Sequence, residues 1–99
     1  MEKDFEFVEL FEIYKGLLTE KQRDLFFSHY FLDLSLAEIA EQEGGTRQNV
    51  YDSIKKVKTK LVEYEGVLKL REKFSKVKDI ASKIKNESLQ EELIDIIGK

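Results

Sequence analysis

The feature that most restricts the fold is a helical spacing of apolar residues in a chain that contains no proline. Apolar side chains follow one another at intervals of four, three and four residues: Val50, Ile54, Val57 and Leu61. This spacing places all of them on one face of an α-helix. The helix formers Leu, Glu, Lys, Gln and Ile also dominate the composition, whereas Val and Thr are sparse. The sequence therefore predicts an all-α fold.

Helix-start signals divide the first half of the chain into further helices. Apolar residues at helical spacing predict a first helix from Asp4 to Lys15, which Gly16 would end. Ser or Thr followed three residues later by Glu or Gln is the capping box that opens a helix, and it occurs twice in the first half of the chain: Thr19 with Gln22, and Ser35 with Glu38. We therefore expect a second helix over 20–30 and a short third helix that ends at Glu43.

A second apolar series begins near Gly66 and is displaced by one residue from the first. Its members alternate spacings of three and four: Val67, Leu70, Phe74, Val77, Ala81 and Ile84. We expect a break beside Gly66, then a long C-terminal helix with a narrow, coiled-coil-like seam. Asn86 or Ser88 would open a last helix that Gly98 ends. The predicted domains are residues 1–65, holding the first four helices, and 66–99, a helical extension.

Charge is distributed unevenly along the chain, whose formal net charge is -3. Residues 1–43 contain 4 basic and 11 acidic side chains, whereas residues 44–85 contain 12 basic and 5 acidic ones. Residues 86–99 return to an acidic balance, with 1 basic and 4 acidic side chains. A basic middle segment in an acidic protein predicts either an anionic partner or docking against the chain's own acidic ends.

The segment LSLAEIAEQEGGTRQNVYDSI has the pattern of a helix-turn-helix. Such a pair needs a small residue in its first helix, a tight turn, and a capped second helix with an apolar inner face. These features occur in register: Ala40, Gly44, Thr46, and the pair Val50 and Ile54. Glu43 and Gly45 depart from the pattern, since most such motifs carry apolar residues there. The pattern favours nucleic-acid binding, with a structural or protein-docking helix pair as the alternative.

The residues that would face a nucleic acid follow from the position of the apolar stripe. Near the start of the helix, Arg47 suits a guanine edge or a phosphate, and Gln48 suits an adenine. The Thr46 hydroxyl and the first-turn amides suit a phosphate. Asp52 places a negative charge on the same face. The predicted nucleic-acid-binding residues are Thr46, Arg47, Gln48, Tyr51, Lys55, Lys56 and Lys58.

The sequence indicates a protein that is not an enzyme, with no catalytic, cofactor or metal site. There is no cysteine, and the lone histidine, His29, lies in an aromatic-rich helix where we interpret it as a packed or surface residue. Gly44-Gly45 lacks the Lys and Ser/Thr that follow in phosphate-binding loops. The acidic N-terminus has no signal-peptide pattern, and no apolar run reaches about 18 residues. We therefore expect a cytoplasmic location.

At the level of family, the middle of the chain resembles the fourth region of bacterial sigma factors. The matching segment is LTEKQRDLFFSHYFLDLSLAEIAEQEGGTRQNVYDSIKKVKTKL. It resembles more closely the YlxM family of small bacterial proteins, which share LTEKQ, YFLDLSLAEIAE, the TRQNVYDSIKK segment and a following VEYE. The resemblance covers about residues 5–75. It implies a sigma-region-four-like helix-turn-helix bundle with a long C-terminal helix and no catalytic residues. A chain of 99 residues leaves no room for the other regions of a full sigma factor.

The resemblance also implies a context, because YlxM genes typically lie beside those of the signal recognition particle. It implies a DNA-binding regulatory protein that takes part in the signal recognition particle pathway. The alternative is an adaptor that binds the particle's RNA or protein components. In that case the lysines along residues 55–85 would matter more than Arg47 and Gln48, since RNA duplexes are read largely through shape and backbone.

Two further interpretations concern apolar surfaces. The seam over residues 67–84 predicts a homodimer, with packing onto the first two helices as the alternative.

An aromatic stripe at helical spacing lacks interleaved basic residues: Phe5, Phe11, Tyr14, Phe26, Phe27, Tyr30 and Phe31. We interpret this stripe as hydrophobic core and not as a surface for stacking bases.

Overall fold

The computed structural model describes the backbone of residues 2–98 and the side chains of residues 5–98. Over this range it contains six α-helices and a short 3₁₀ helix, and no strand. The helices are α1 (Glu2–Tyr14), the 3₁₀ helix (Lys15–Leu17), α2 (Glu20–Tyr30), α3 (Leu36–Glu43), α4 (Arg47–Leu68), α5 (Leu70–Ala81) and α6 (Glu87–Ile97). The all-α prediction is confirmed.

Both predicted capping boxes are present. Thr19 Oγ1 accepts from the Gln22 amide at 3.1 Å, and the Gln22 side chain accepts from the Thr19 amide at 2.9 Å. Ser35 and Glu38 make the same reciprocal pair at 3.1 and 2.9 Å. Each box satisfies amides at a helix start that have no partner within the helix. These two caps fix where α2 and α3 begin.

The chain divides into two compact units, with the boundary between Val67 and Leu68. The core of the first unit draws buried side chains from α1 to α4 and from the residue that follows the 3₁₀ helix: Leu10, Phe11, Tyr14, Leu18, Leu25, Phe26, Ile39, Ala40, Val50, Ile54, Val57 and Leu61. Phe26 is central, with its ring stacked on Phe11 at 4.5 Å and on Tyr30 at 4.3 Å. Burying one such aromatic side chain contributes about 1.5–3 kcal/mol.

The aromatic stripe is therefore only partly core. Phe11, Tyr14 and Phe26 are buried as expected, but Phe5 is 70% exposed and Phe31 is 38% exposed. The Phe31 ring lies 5.0 Å from Phe27, which is also exposed. An apolar surface thus remains open on the first unit.

Polar contacts hold the second half of α4 against α1. The Tyr14 hydroxyl donates to Glu65 Oε1 at 2.6 Å, and the Tyr14 and Tyr64 rings lie 5.9 Å apart. The Tyr64 hydroxyl donates to the Leu17 carbonyl at 3.4 Å. Because Tyr14 is almost fully buried, its hydroxyl needs this partner. These contacts fix the position of α4 relative to α1 and the 3₁₀ helix.

The second unit differs from the sequence prediction in two respects. The break lies at Lys69, whose backbone is left-handed with φ 54°, and not at Gly66, which continues α4. The expected long helix over 67–84 does not form, because α4 ends at Leu68 and α5 ends at Ala81. Asn86 then caps α6 by accepting from the Leu89 amide at 3.1 Å. The one-residue displacement of the apolar series is accommodated by the left-handed backbone at Lys69, three residues after Gly66.

The two helices of the second unit form a hairpin. Gln90 of α6 donates to the Ala81 carbonyl at the end of α5, at 2.7 Å. Ala81 is the single fully buried side chain among the described residues of this unit. Two helices of 12 and 11 residues supply little core of their own.

Candidate nucleic-acid interface

The turn between α3 and α4 is built by one glycine in a left-handed conformation. Gly44 has φ 77° and ψ 19°, and its amide donates to the Ala40 carbonyl at 2.9 Å. The Gly45 amide donates to the same carbonyl at 3.0 Å. Glu43 and Gly45 are both exposed, so this turn is closed by hydrogen bonds and does not need the apolar packing found in most such motifs.

The inner sides of α3 and α4 share one cluster with α2. Its buried members come from the three helices: Leu25, Ile39, Ala40, Val50 and Ile54. Tyr30, Leu34 and Leu36 pack around it. The small Ala40 side chain is buried in this cluster, as the sequence pattern predicts. The cluster thereby fixes the orientation of α4 around its own axis.

Thr46 opens α4 as predicted. Its Oγ1 accepts from the Asn49 amide at 3.1 Å, and its carbonyl accepts from the Val50 amide at 3.1 Å. The first-turn amides of Arg47 and Gln48 have no acceptor within an α-helix. The Thr46 hydroxyl can still donate its proton, because only its oxygen is used in the cap. These groups together could contact a phosphate oxygen.

Five of the predicted residues have exposed side chains in the first three turns of α4. We call them the candidate face: Arg47, Gln48, Tyr51, Lys55 and Lys56. Tyr51 is 50% exposed, which is a large fraction for an aromatic side chain. The face combines two planar polar groups, one aromatic ring and two ammonium groups. These are the groups that contact base edges and phosphates in protein–DNA complexes.

Gln48 and Asp52 are paired, a contact that the sequence prediction missed. Gln48 Nε2 donates to Asp52 Oδ1 at 3.0 Å, across one turn of α4. The signal was present, since polar side chains four residues apart meet on a helix. With one of its two amide N–H groups engaged, Gln48 keeps its carbonyl oxygen and one N–H, but the contact with Asp52 sets the orientation of the amide. Recognition of adenine through both atoms of the amide requires the side chain to turn toward the base edge.

Lys58 is placed apart from the other predicted binding residues. Its ammonium lies 5.1 Å from the centroid of the Phe7 ring and 5.2 Å from that of Tyr30, within cation–π range. Its position follows from the sequence, because it is four residues after Ile54 and directly after Val57, at the edge of the buried stripe. Lys58 therefore links α4 to α1 and α2.

His29 has a structural role. Its Nδ1 lies 2.9 Å from the Leu34 carbonyl oxygen, and its ring meets Tyr30 edge-on at 5.0 Å. Within residues 5–98 no group of three or more His, Cys, Asp or Glu side chains is arranged to hold a metal ion. The described helices also include none with the length and apolar character needed to cross a bilayer.

Comparison with known proteins gives one consistent result. Residues 1–98 match the model of the family described as "UPF0122: Putative helix-turn-helix protein, YlxM / p13 like". The chain is 41% identical over 95 residues to UPF0122 proteins of Bacillus thuringiensis (strain Al Hakam), Bacillus mycoides (strain KBAB4) and Bacillus cereus (strain 03BB102). In each case the match covers 96% of this chain and 86% of the relative. With its helix-turn-helix formed by α3 and α4, the chain belongs to the UPF0122 family of YlxM/p13-like proteins.

Proposed function

We propose that this protein is a non-enzymatic regulator that binds duplex DNA through the first turns of α4. The observation that supports this most directly is the candidate face itself. The cluster shared by α2, α3 and α4 buries Val50 and Ile54, whereas Arg47, Gln48 and Tyr51 remain exposed in the first turns of α4. In helix-turn-helix proteins this end of the second helix enters the major groove.

Each residue of the face has a distinct role in the proposal. Arg47 reads a guanine edge and Gln48 an adenine, once Gln48 has released Asp52. Tyr51 contacts a phosphate through its hydroxyl or a thymine methyl through its ring. Lys55 and Lys56 supply attraction to the backbone that does not depend on sequence.

We further propose that two copies associate through the α5–α6 hairpin. Large apolar side chains on this hairpin remain exposed, with Ile80 at 61% and Ile96 at 77%. Because Ala81 is the only fully buried side chain described in the unit, a second hairpin would supply the missing core. Paired recognition helices would then match two half-sites of DNA.

The cellular setting that we propose is the cytoplasm and the signal recognition particle pathway. The support for this part is the family resemblance alone. The regulated step could be transcription of the pathway's genes or direct contact with the particle.

The proposal is tested by fluorescence anisotropy with labelled duplex DNA at about 50 and about 200 mM salt, a range over which phosphate-driven binding falls steeply. A selected DNA site would be compared with random duplex. We expect the double variant Arg47→Ala/Gln48→Ala to lose preference for the selected site and to keep weak, salt-dependent binding. Lys21→Ala, an exposed lysine on α2, is the matched control. A double variant that keeps its site preference contradicts the proposal.

One observation favours a second candidate, an adaptor that binds RNA of the signal recognition particle. Exposed lysines occur along the second unit as well as on α4: Lys69, Lys73, Lys76, Lys78, Lys83 and Lys85. Backbone-directed RNA binding would use these residues more than Arg47 and Gln48. If Lys73→Gln/Lys76→Gln weakens RNA binding and Arg47→Ala/Gln48→Ala does not, the adaptor is the better description.

A further inference from the structure

An open groove lies on the first unit and shares no lining residue with the candidate face. It has a volume of about 550 Å³ and is lined by apolar side chains of α1 and of the end of α2 with its following loop: Phe5, Val8, Tyr30, Phe31 and Leu34. We call it the aromatic groove. Its volume is comparable with that of ligand pockets, about 300–1,000 Å³. Phe5 at 70% and Phe31 at 38% exposure leave it open to a large partner.

The loop that forms one wall of the groove is held in place before any partner arrives. The Leu32 amide donates to the Phe27 carbonyl at 3.1 Å, and the Leu34 amide donates to the Ser28 carbonyl at 3.0 Å. The His29 ring also contacts the Leu34 carbonyl at 2.9 Å. A preformed surface loses little conformational entropy when it binds, which favours specific docking.

The charge around the aromatic groove selects the kind of partner. Asp33 lines the groove, which has no lysine or arginine in its lining. Glu6 and Glu9, also exposed, belong to the same half of α1 as Phe5 and Val8. Of the described basic side chains in residues 5–43, Lys15 lies in the 3₁₀ helix after α1, and Lys21 and Arg23 lie near the start of α2. A groove lined by Asp33 and by no lysine or arginine favours a cationic partner over a nucleic acid.

The aromatic rings beside the groove already hold one cation. The Lys58 ammonium of α4 lies over the faces of Phe7 and Tyr30, and Tyr30 also lines the groove. Among the described residues, Lys58 is the basic side chain whose ammonium lies over a ring of the groove. The contact shows that ring faces in this part of the molecule can receive an ammonium group.

We propose that the aromatic groove docks a basic amphipathic helix of a different protein. Apolar side chains of that helix would fill the space between Phe5, Val8 and Phe31. Its flanking Lys or Arg residues would face Asp33 and the acids of α1. This is the helix-in-groove mode of peptide recognition. Because the groove and the candidate face use separate residues, the protein would connect such a partner to the nucleic acid bound by α4.

A titration of the full-length ¹⁵N-labelled protein with two synthetic helical peptides tests this proposal. Both peptides carry leucines at i, i+3, i+4 and i+7; one has lysine flanks and the other has glutamate flanks at the same positions. We expect the lysine peptide to shift the amide signals of Phe5, Val8 and residues 30–34, and to bind at least about tenfold more tightly than the glutamate peptide.

Three single variants show which residues the binding depends on. Phe5→Ala removes an exposed ring and should weaken the lysine peptide about fivefold or more. Asp33→Asn keeps a side chain that tolerates the local φ of 56° but removes the charge, so a loss of about twofold to fivefold is expected. Leu17→Ala removes an exposed apolar side chain outside the groove and should change nothing.

Several outcomes would overturn the proposal. Equal binding of the two peptides, or no binding of the lysine peptide at about 1 mM, would show that the charge and shape of the groove select no such helix. Groove signals that shift with protein concentration alone would identify a second copy as the occupant. Groove signals that shift on adding duplex DNA would make the groove part of a nucleic-acid surface. None of these results depends on whether α4 binds DNA.

Discussion

At the scale of single residues, the pairing of Gln48 with Asp52 is the contact that most affects recognition. Asp52 holds the Gln48 amide at 3.0 Å and places a carboxylate on the face that would approach phosphates. Sequence alone identified both residues as exposed. It did not show that one restrains the other, because side-chain rotamers depend on packing around the whole helix.

We expect Asp52→Ala to bind duplex DNA more tightly than the unaltered protein, by about threefold to tenfold at about 50 mM salt. The substitution releases the Gln48 amide and removes a negative charge beside Lys55 and Lys56. Anisotropy with random duplex DNA measures the change. Glu63→Ala, which removes an exposed carboxylate more than two turns away, is the control. An unchanged or weaker affinity for Asp52→Ala would show that Asp52 does not oppose binding.

Lys58 is a predicted binding residue whose ammonium group instead contacts rings of α1 and α2. We expect Lys58→Ala to lower the free energy of unfolding by about 1 kcal/mol, because it removes an ammonium from two ring faces. Urea denaturation measures this effect. Lys56→Ala, on the exposed side of the same helix, should leave stability unchanged and weaken DNA binding. A Lys58→Ala variant that behaves like Lys56→Ala would show that Lys58 acts in DNA binding and belongs with the candidate face.

Gly44 and Gly45 make a matched pair for testing the turn. A Cβ atom at either position would meet no atom within 4 Å, so steric contact does not distinguish them. Only Gly44 has a positive φ, 77°, which costs other residues about 1–2 kcal/mol. We therefore expect Gly44→Ala to destabilise the protein by that amount in urea denaturation, and Gly45→Ala to have little effect. Similar losses for both variants would mean that the strain at Gly44 is not the cause.

At the scale of helices, the sequence was most informative where a local contact sets a boundary. Thr19, Ser35 and Thr46 start α2, α3 and α4 because their side chains accept hydrogen bonds from amides three residues ahead. The break at Lys69 could not be placed in the same way. A flexible glycine at 66 is permitted inside a helix, whereas a lysine enters the left-handed region only when the surrounding structure favours it. Apolar spacing showed the change of phase but not the residue that absorbs it.

The α3 capping box predicts a pH dependence. Hydrogen bonds from Ser35, first from its backbone amide and then from its side chain, hold the pKa of the Glu38 carboxyl below its usual value of 4.5. Because the folded-state pKa is the lower one, the ionised carboxylate stabilises the fold above pH 4.5, and this stabilisation is lost as the pH falls through the folded-state pKa.

The corresponding measurement is an NMR titration of the Glu38 carboxyl, together with urea midpoints of the unaltered protein and of Glu38→Gln. Glutamine keeps the acceptor for the Ser35 amide but does not titrate. The stability difference between the two proteins should therefore be constant near neutral pH and change only in the acidic range. A Glu38 carboxyl that titrates at 4.5 or above would contradict the capping contact.

At the scale of the whole molecule, the uneven charge of the sequence corresponds to separate surfaces. The aromatic groove is built within the acidic segment 1–43 and is lined by Asp33, whereas basic residues of α4 supply three of the five side chains of the candidate face. The sequence could predict this division because the acidic and basic residues are concentrated in different segments of the chain. It could not predict the groove, because the stripe that contains Phe5 and Phe31 has the same helical spacing as a buried stripe. Which aromatic residues remain exposed depends on how many helices cover them.

Association of two copies is the prediction that concerns the whole molecule. We expect the unaltered protein to sediment as a dimer at about 10 μM, and Ile80→Glu and Ile96→Glu to sediment as monomers, because each places a carboxylate on the exposed apolar side of α5 or α6. Val62→Glu, a similarly exposed position on α4, is the control and should leave the dimer intact. Loss of the dimer should also weaken binding to a two-fold symmetric DNA site more than binding to one half-site, since the second contact would no longer be intramolecular. If the unaltered protein remains a monomer up to about 100 μM, the apolar side chains of the hairpin serve some purpose other than joining two copies, and the protein would contact DNA through one α4 helix at a time.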